Sequence, residues 1–496
     1  MAGTLHHLMK ILPWRLIGVS LAGLTALAGP FKVGPDYERP TTTVPAQYKA
    51  ESLGSWKEGT PLDHVPKGPW WEIFGDQTLN DLELRAALSN LDVKAAVARV
   101  DQARATARIS RSELFPALDL NPAWRRERFS PNQVPGFGDL TANTFSVPLD
   151  LSYEIDLWGR VRRGFEGARA EAAASVAAFH NILLTLHADV AQTYFVLRSL
   201  DAEIASVANT VGLRHEQVQL VRGRFDGGIG NELDIARAET ELATAEAEAA
   251  ALDRRRTELE NGLAILVGEN PVTFRLAPIE AANVNWDPAP PTVPAGLPAE
   301  LLERRPDVAE AERQLAAANA RIGVAKAAFF PVLRLTGSGG YLSGDIESLF
   351  NWESRVWSIG PSISLPLFSG GRNRANYRRS KAAFEEAVAR YRQQILVAFG
   401  EVENSLAAVH HLAIEATAQD RALANARHAA DLATERYRAG LVSYLEVVDA
   451  NRATLQTERA SAQLAGQRLN ATVQLVKALG GGWLVEASFA QSGKGF

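Results

Sequence analysis

The chain has 496 residues, with 52 Lys+Arg against 57 Asp+Glu, and 46% of it is hydrophobic. That globular composition excludes wholesale disorder and collagen-like repeats, and the near-neutral charge leaves no electrostatic footprint for nucleic acid. Zero cysteines exclude disulfides, Fe–S clusters, thiolate zinc sites and a Cys-anchored lipid.

In chain order, Lys10 and Arg15 make a basic n-region, followed by the uncharged apolar run Leu16 to Leu27. Ala26-Leu27-Ala28 is an A-x-A cleavage signal. Residues 1–28 read as a signal peptide, with Gly29 as the first mature residue. The alternative is an N-terminal membrane anchor, for which the run is short. Beyond it no stretch of ~20 uncharged apolar residues occurs, so no helical span is expected in the mature chain. Residues 29–75 carry Pro30, Pro35, Pro40, Pro45, Pro61, Pro66 and Pro69, and read as an extended arm. A helical pattern starts near Asp76 and runs through Leu79, Leu82, Leu88, Val93, Val97 and Val100 to about Ser112.

The period then changes to two. From Phe145 to Asp156 every odd position is apolar or aromatic and every even one polar or proline. Trp357, Ile359, Ile363, Leu365 and Leu367 alternate in the same way with Ser358, Gly360, Ser362 and Ser364. Each run is a strand with one apolar and one polar face. With partners around Leu118/Leu120 and Leu333/Leu335, four strands are expected, at about 115–127, 144–156, 331–342 and 355–367. No proline occurs between Pro148 and Pro271, nor after Pro366. Both stretches are rich in strong helix formers. A helix of ~65 residues would reach ~100 Å, far beyond the needs of an ordinary globular domain.

The halves superpose. Asp92-Val93 and Phe115-Pro116 fall on Asp307-Val308 and Phe330-Pro331 at an offset of 215. Gly159-Arg160, Arg224 to Gly228 and Leu233-Asp234-Ile235 fall on Gly371-Arg372, Arg436 to Gly440 and Leu445-Glu446-Val447 at 212. This gives repeat 1 over 76–270 with a tip at 226–230, and repeat 2 over 299–480 with a tip at 439–443. Residues 271–298 link them and 481–496 form a tail.

Strands of 10–12 residues are the right size to cross a bilayer when tilted. A membrane sheet must close, because an open edge leaves unpaired backbone groups in lipid. Four strands cannot close a barrel, so the chain must oligomerise, and three copies give twelve. The alternative is two soluble hairpins with a wet face. The Gly-rich tips turn each long helix back on an antiparallel partner. These helices make either a solid coiled-coil bundle or the wall of a duct.

Several stretches together resemble the TolC-like outer membrane factor family, in its efflux-associated (NodT/OprM-like) branch. They are Val33-Gly34-Pro35-Asp36-Tyr37 with Pro40; Trp70-Trp71 with Phe74 and Asp76; Asp92-Val93 with Ala95, Ala96, Ala98 and Arg99; Asp156 to Arg160; and Arg436-Tyr437 through Gly440 to Tyr444 and on to Arg452. The resemblance implies a mainly α trimer: a twelve-stranded outer membrane β-barrel from two transmembrane hairpins per chain, continued by a long periplasmic α-helical barrel. An equatorial belt would come from residues 29–75, 271–298 and 481–496. It also implies the exit duct of a tripartite pump, coupled through a periplasmic adaptor to an inner membrane transporter of RND type. The main alternative is the exit duct of a type I protein secretion system. A periplasmic coiled-coil adaptor should show a lipoyl-like β domain and no long amphipathic strand, the reverse of this chain. Branch members commonly carry a lipidated Cys before the Val-Gly-Pro-Asp-Tyr stretch. Pro30 stands there, so acylation at that position is impossible.

No catalytic, metal or cofactor set emerges. His410 and His411 are adjacent on a helix, so their side chains diverge by roughly 100° and do not chelate easily. The periplasmic tip is the better candidate. Asp234, Glu446 and Asp449 lie in the first turns of returning helices, where acids oppose the macrodipole for ~0.3–1 kcal/mol each. Glu446 and Asp449 also share a helix face, and three copies would converge on a trimer axis. The resemblance implies a closed gate here. In it Tyr437 bonds across to Asp234, Glu446 and Asp449 ring the aperture, Arg452 serves as ion-pair partner and Leu445 as apolar constriction. A basic residue that the family places two after the tip Gly is Val442 here. Arg224, Gly227, Gly228, Arg436 and Gly440 would present the adaptor-docking surface.

Overall fold

The structure, a computed structural model, describes residues 31–40, 68–130, 140–279, 289–291, 293 and 305–481. The signal peptide, residues 41–67 of the arm, most of the 271–298 linker and the tail beyond 481 lie outside the described residues.

A 3-10 turn at Trp70–Phe74 leads into helix α1, Gln77–Ser89. Asp76 caps α1, accepting from the backbone N–H of Thr78 and Leu79 at 2.9 and 3.1 Å. The sequence pattern runs unbroken to Ser112, but the helix divides at Asn90, and α2 covers Leu91–Ser112. The buried Asn90 carboxamide accepts from Asp92 and Val93 N–H at 2.8 and 3.1 Å and donates to the Leu266 carbonyl at 2.9 Å. A side chain thus competes with the helix for its own backbone.

The strands are β1 (Ala117–Leu120), β2 (Ala123–Phe129), β3 (Leu140–Ile155), β4 (Val332–Ser343) and β5 (Arg355–Ser364). All pairings are antiparallel: β1 and β2 both pair with β3, β3 with β4, and β4 with β5. The expected single strand over 115–127 is therefore two pieces. Pro122, which has no N–H, interrupts it, while Asn121 keeps the edge attached through the Pro148 carbonyl (3.1 Å) and the Asp150 carboxylate (2.9 Å). The strand expected over 355–367 stops at Ser364, just before Pro366.

The register sorts the faces. Leu118, Leu120 and Trp124 align with Leu151, Leu149 and Phe145; Val147, Tyr153 and Ile155 align with Tyr341, Leu335 and Leu333. Trp357 and Ile359 oppose Gly339 and Gly337, and Ile363 opposes Leu333. Directly opposed residues share a face, so these form one apolar face. Asp119, Asp150, Ser152, Glu154, Arg334, Ser338 and Ser358 lie on the other. Gly340 sits opposite Pro148, where a Cβ would come within 2.1 Å of the Val147 carbonyl oxygen.

Four long helices follow. Helices α3 (Arg160–Asp226) and α6 (Arg372–Arg438) have 67 residues each; α4 (Glu232–Leu266) and α7 (Tyr444–Ala478) have 35 each. The numbering skips α5, the 22-residue helix Pro306–Ala327 that precedes β4. Among the described residues no helix is long and apolar enough to cross a membrane.

By packing, the described chain divides into two units. One takes 31–40, 101–130, 140–173 and 312–389; the other takes 68–100, 174–279, 305–311 and 390–481. Segments from both halves of the sequence contribute to each unit. The arm expected over 29–75 is divided as well: residues 31–40 belong to the sheet unit and 68–75 to the helical unit.

In the sheet unit the Val33-Gly34-Pro35-Asp36 stretch is clamped. Arg163, 1% exposed, reaches Asp36 at 2.9 Å, Glu166 at 3.1 Å and the Gly34 carbonyl at 3.3 Å. Gly34 has φ +103°, and a Cβ on it would lie 2.6 Å from the Gly323 Cα, so only glycine permits this approach. Trp158 donates its indole N–H to the Pro331 carbonyl (2.9 Å) and stacks on Phe330 at 4.7 Å.

The helical unit has a core of Trp70, Trp71, Leu79, Leu82, Tyr194, Leu197, Leu263, Leu469 and Val473 among others. Buried in the same unit, Glu83 lies 2.7 Å from His187 Nδ1, and Trp71 stacks on that imidazole at 4.3 Å. Burial pushes the Glu83 carboxyl up to about 9 and the His187 imidazole down to about 4. The pair is therefore neutral at pH 7, with the protonated carboxyl donating to the ring nitrogen.

Candidate functional site: the helix tips and a charged groove

Both tips end in the same device. After α3, Gly228 N–H donates to the Phe225 carbonyl and Ile229 N–H to the Arg224 carbonyl; after α6, Gly440 donates to Tyr437 and Leu441 to Arg436. This is a Schellman closure. Gly228 and Gly440 both have φ +75°, and a Cβ there would carry the left-handed penalty. Gly227 precedes Gly228 in this turn. Asn231 caps α4 by accepting from Asp234 N–H at 2.9 Å.

Below the tips lies a small core of Val218, Val221, Ala238, Tyr437, Tyr444, Val447 and Val448. Tyr437 and Tyr444 pack ring to ring at 5.5 Å. The Arg224 guanidinium covers the Tyr437 ring at 4.6 Å and donates to the Tyr437 carbonyl at 3.0 Å. Burial raises the Tyr437 hydroxyl and pushes Tyr444 up to about 12. The hydrogen bond expected between Tyr437 and Asp234 is not formed. Asp234 instead faces Arg237 at 3.7 Å, and the Tyr437 ring packs against the Arg224 guanidinium and the Tyr444 ring. Leu445, Glu446 and Asp449 are exposed on α7, while Tyr444, Val447 and Val448 turn inward. The acids thus occupy the outer face of an amphipathic helix. Arg436 is exposed beside the turn. His410 and His411 sit side by side, centroids 5.2 Å apart and planes at 77°.

Arg452 has a partner the sequence reading missed. Its Nε donates to Glu241 Oε1 at 3.0 Å. The other Glu241 oxygen faces Arg214, at 3.1 Å, and Arg214 also donates to the Glu241 carbonyl. One heptad along, Arg459 pairs with Glu248 and, at 2.7 Å, with Glu203, which also accepts from Gln463 at 3.1 Å. Glu458 in turn accepts from Ser206 at 2.6 Å and Arg427 at 2.9 Å. Arg214, Glu241, Glu248, Arg452, Arg459 and Gln463 line a groove of about 540 Å³ between α4 and α7, together with Thr240, Thr244, Leu455 and Gln456. Glu241 to Glu248 and Arg452 to Arg459 are each seven residues apart, the spacing that keeps side chains on one seam of packed helices. That spacing was visible in the sequence; the pairing across 211 residues was not. The groove carries no nucleophile–base arrangement. Chemically it is a set of ion pairs that fasten α7 to α4 and α3.

The sequence pattern of the outer membrane efflux protein family matches residues 84–269 and 297–481. The chain is 35% identical over 455 residues to the solvent efflux pump outer membrane protein SrpC of Pseudomonas putida, covering 91% of this chain and 95% of that one. It is 34% identical over 470 residues to the outer membrane protein OprJ of Pseudomonas aeruginosa, covering 94% and 96%. Among solved structures, the outer-membrane channel OprN superposes with a TM-score of 0.82 at 32% identity, covering 91% of this chain and 99% of that one. A sheet with one apolar face, paired 67-residue helices and full-length identity of this order place the chain in the outer membrane efflux protein family, as an outer membrane transport protein with a periplasmic extension.

Proposed function

We propose that the chain is the outer membrane exit duct of a tripartite efflux pump, passively conducting drugs or other small toxic compounds and gated at its periplasmic tip. Three copies contribute twelve strands to one barrel, and their long helices continue it as a tunnel. The partners are a periplasmic adaptor docking at Arg224, Gly227, Gly228, Arg436 and Gly440, and an inner membrane transporter of RND type. The duct is not an enzyme and uses no cofactor.

The observation that carries this reading is the uncovered apolar face of an unclosed sheet. Trp357 is 80% exposed, Ile363 74%, Ile359 67% and Trp124 62%. β5 and the β1–β2 strand have no second strand partner among the described residues. Such a surface belongs against lipid, and such edges need pairing there. Four strand positions cannot close; twelve can. Efflux is supported by relatives named for solvent extrusion.

The ladder refines the gate. Arg452–Glu241 and Arg459–Glu248 hold α7 against α4 in the closed tip, and opening requires α7 to leave those carboxylates. Glu446 and Asp449 face outward, where symmetric copies meet around an aperture. The experiment is complementation of an efflux-deficient strain lacking its own outer membrane channel, supplied with a cognate adaptor and transporter. Restored resistance to toluene-class solvents and antibiotics is expected, with a heat-modifiable trimer in detergent. A monomer that restores nothing would overturn the reading.

A further inference from the structure

The strand register places three arginines on the apolar face, and only at one end of it. Trp124 pairs with Phe145 at the margin of the apolar band. Arg126 and Arg128 follow on the same face of β2, opposite Asn143 and Thr141. At ~3.3 Å per residue they lie ~7 and ~13 Å beyond Trp124 along the strand. On the other hairpin, Arg355 opposes Tyr341, which opposes Val147 of the apolar face. Its Nε donates to the Trp352 carbonyl at 2.8 Å, and its guanidinium lies over the Trp352 ring. All three arginines are exposed. Arg125 and Glu127 of β2 turn to the opposite face, where they pair at 3.4 Å. Asp345, Glu347 and Glu353 lie in the β4–β5 connection rather than on a strand.

In a barrel, this end of each strand carries the hairpin turn and the other end leads into the periplasmic helices. Arg126 and Arg128 therefore stand at the outer rim past Trp124 and Phe145, while Arg355 stands level with Tyr341, two residues past Trp357, within the aromatic belt that marks the edge of the hydrocarbon. Guanidinium groups at that depth meet headgroups, not acyl chains, and each basic group near an anionic lipid surface adds about fivefold to affinity. Arg is suited to the task because its planar fork grips phosphate oxygens in pairs.

We propose that Arg126, Arg128 and Arg355 form a phosphate-binding collar on the lipid-facing rim, and that its occupant is the phosphorylated glycolipid of the outer leaflet. The proposal rests on the barrel reading above. It is tested with the full-length protein in phosphatidylcholine nanodiscs doped with bisphosphorylated lipid A, with lipid retained on the trimer read by native mass spectrometry.

The wild type should enrich lipid A at least fivefold over its share of the disc. Enrichment should fall toward unity in the Arg126→Gln/Arg128→Gln/Arg355→Gln triple variant and with enzymatically dephosphorylated lipid A. The triple Lys variant should keep most of it, which separates charge from misfolding, and Arg125→Gln on the other face should change nothing. Equal enrichment in the triple Gln variant, or in the absence of phosphates, would overturn the collar alone. Competition by inorganic phosphate would show an isolated anion site and overturn the lipid assignment. Failure of the wild type to enter discs of phosphatidylcholine would overturn the barrel reading and the collar together.

Discussion

The two ends of the helical unit are held by different forces. Around Trp71 the core is dry and aromatic, and even its carboxyl–imidazole pair, Glu83 and His187, is uncharged. Around Tyr437 the core is small, and charged side chains on facing helices do the fastening. Apolar burial is non-directional and is lost only when the helices separate. Arg452, more than half exposed, can exchange its ion pair for water or for another protein's charges at little net cost, whereas Arg214 and Glu241 are buried. The first end is held chiefly by apolar burial and the second chiefly by charge.

The largest test of that contrast is Glu241→Ala. It strands Arg214, which is buried, without its carboxylate, and should cost about 3–5 kcal/mol. Thermal unfolding of the protein in detergent reads the loss, and a rise in planar-bilayer conductance reads the loosened tip. A protein as stable and as closed as wild type would break the contrast.

At the other end, Glu83→Gln should act through pH. The Glu83 carboxyl sits at about 9 instead of 4.5. Its contribution is therefore intact below the unfolded value and is lost as pH rises toward 9. His187, at about 4 instead of 6.5, contributes above 6.5 and loses stability as pH falls toward 4. The variant should match wild type near pH 4.5 and gain on it by up to about 1.4 kcal/mol per pH unit above that. Melting curves at pH 5 and pH 8 check this.

The turns come next. Gly228→Ala and Gly440→Ala should each cost about 1–2 kcal/mol, and equally, because both positions have φ +75° and nothing within 4 Å of an added Cβ. Unequal melting shifts would show that the tips differ in backbone as well as in side chains. Arg452→Ala should cost at most about 1 kcal/mol, since its side chain is more than half exposed, yet it should raise conductance. Smallest in stability is Tyr437→Phe with Asp449→Ala. The Tyr437 ring, not its hydroxyl, makes the contacts seen here, so the melt should barely move. The same bilayer recording decides whether Asp449 restrains the aperture.

The two halves of the sequence carry different parts of the fastening. At the 212-residue offset, Arg452 and Arg459 correspond to Thr240 and Ala247, and Glu241 and Glu248 to Ala453 and Ala460. In the Arg452–Glu241 and Arg459–Glu248 pairs, α4 supplies the acids and α7 the cations. The ladder therefore joins α4 to α7 by acids on one helix and cations on the other.

Much of this was legible in advance. The period-two run from Phe145 to Ile155 announced a strand with one apolar face, because alternate side chains of a strand point opposite ways. The glycines at 228 and 440 announced turns, because only glycine adopts that φ without penalty. Asn90 was not legible as a break. Its effect depends on Leu266, a carbonyl 176 residues away that its side chain reaches. Nor was the Tyr437 environment, where Arg224 covers the ring and bonds the carbonyl.

The sequence by itself determined periods, turn positions and the sign of each charge, all of which are set within a few residues of chain. The tertiary structure decided who meets whom. A helical side chain turns by about 100° per residue, so the rotation of α7 against α4 selects Arg452 rather than its neighbours to face Glu241. That rotation is fixed by the packing of Tyr444, Val447 and Val448 across helices, and no local pattern encodes it.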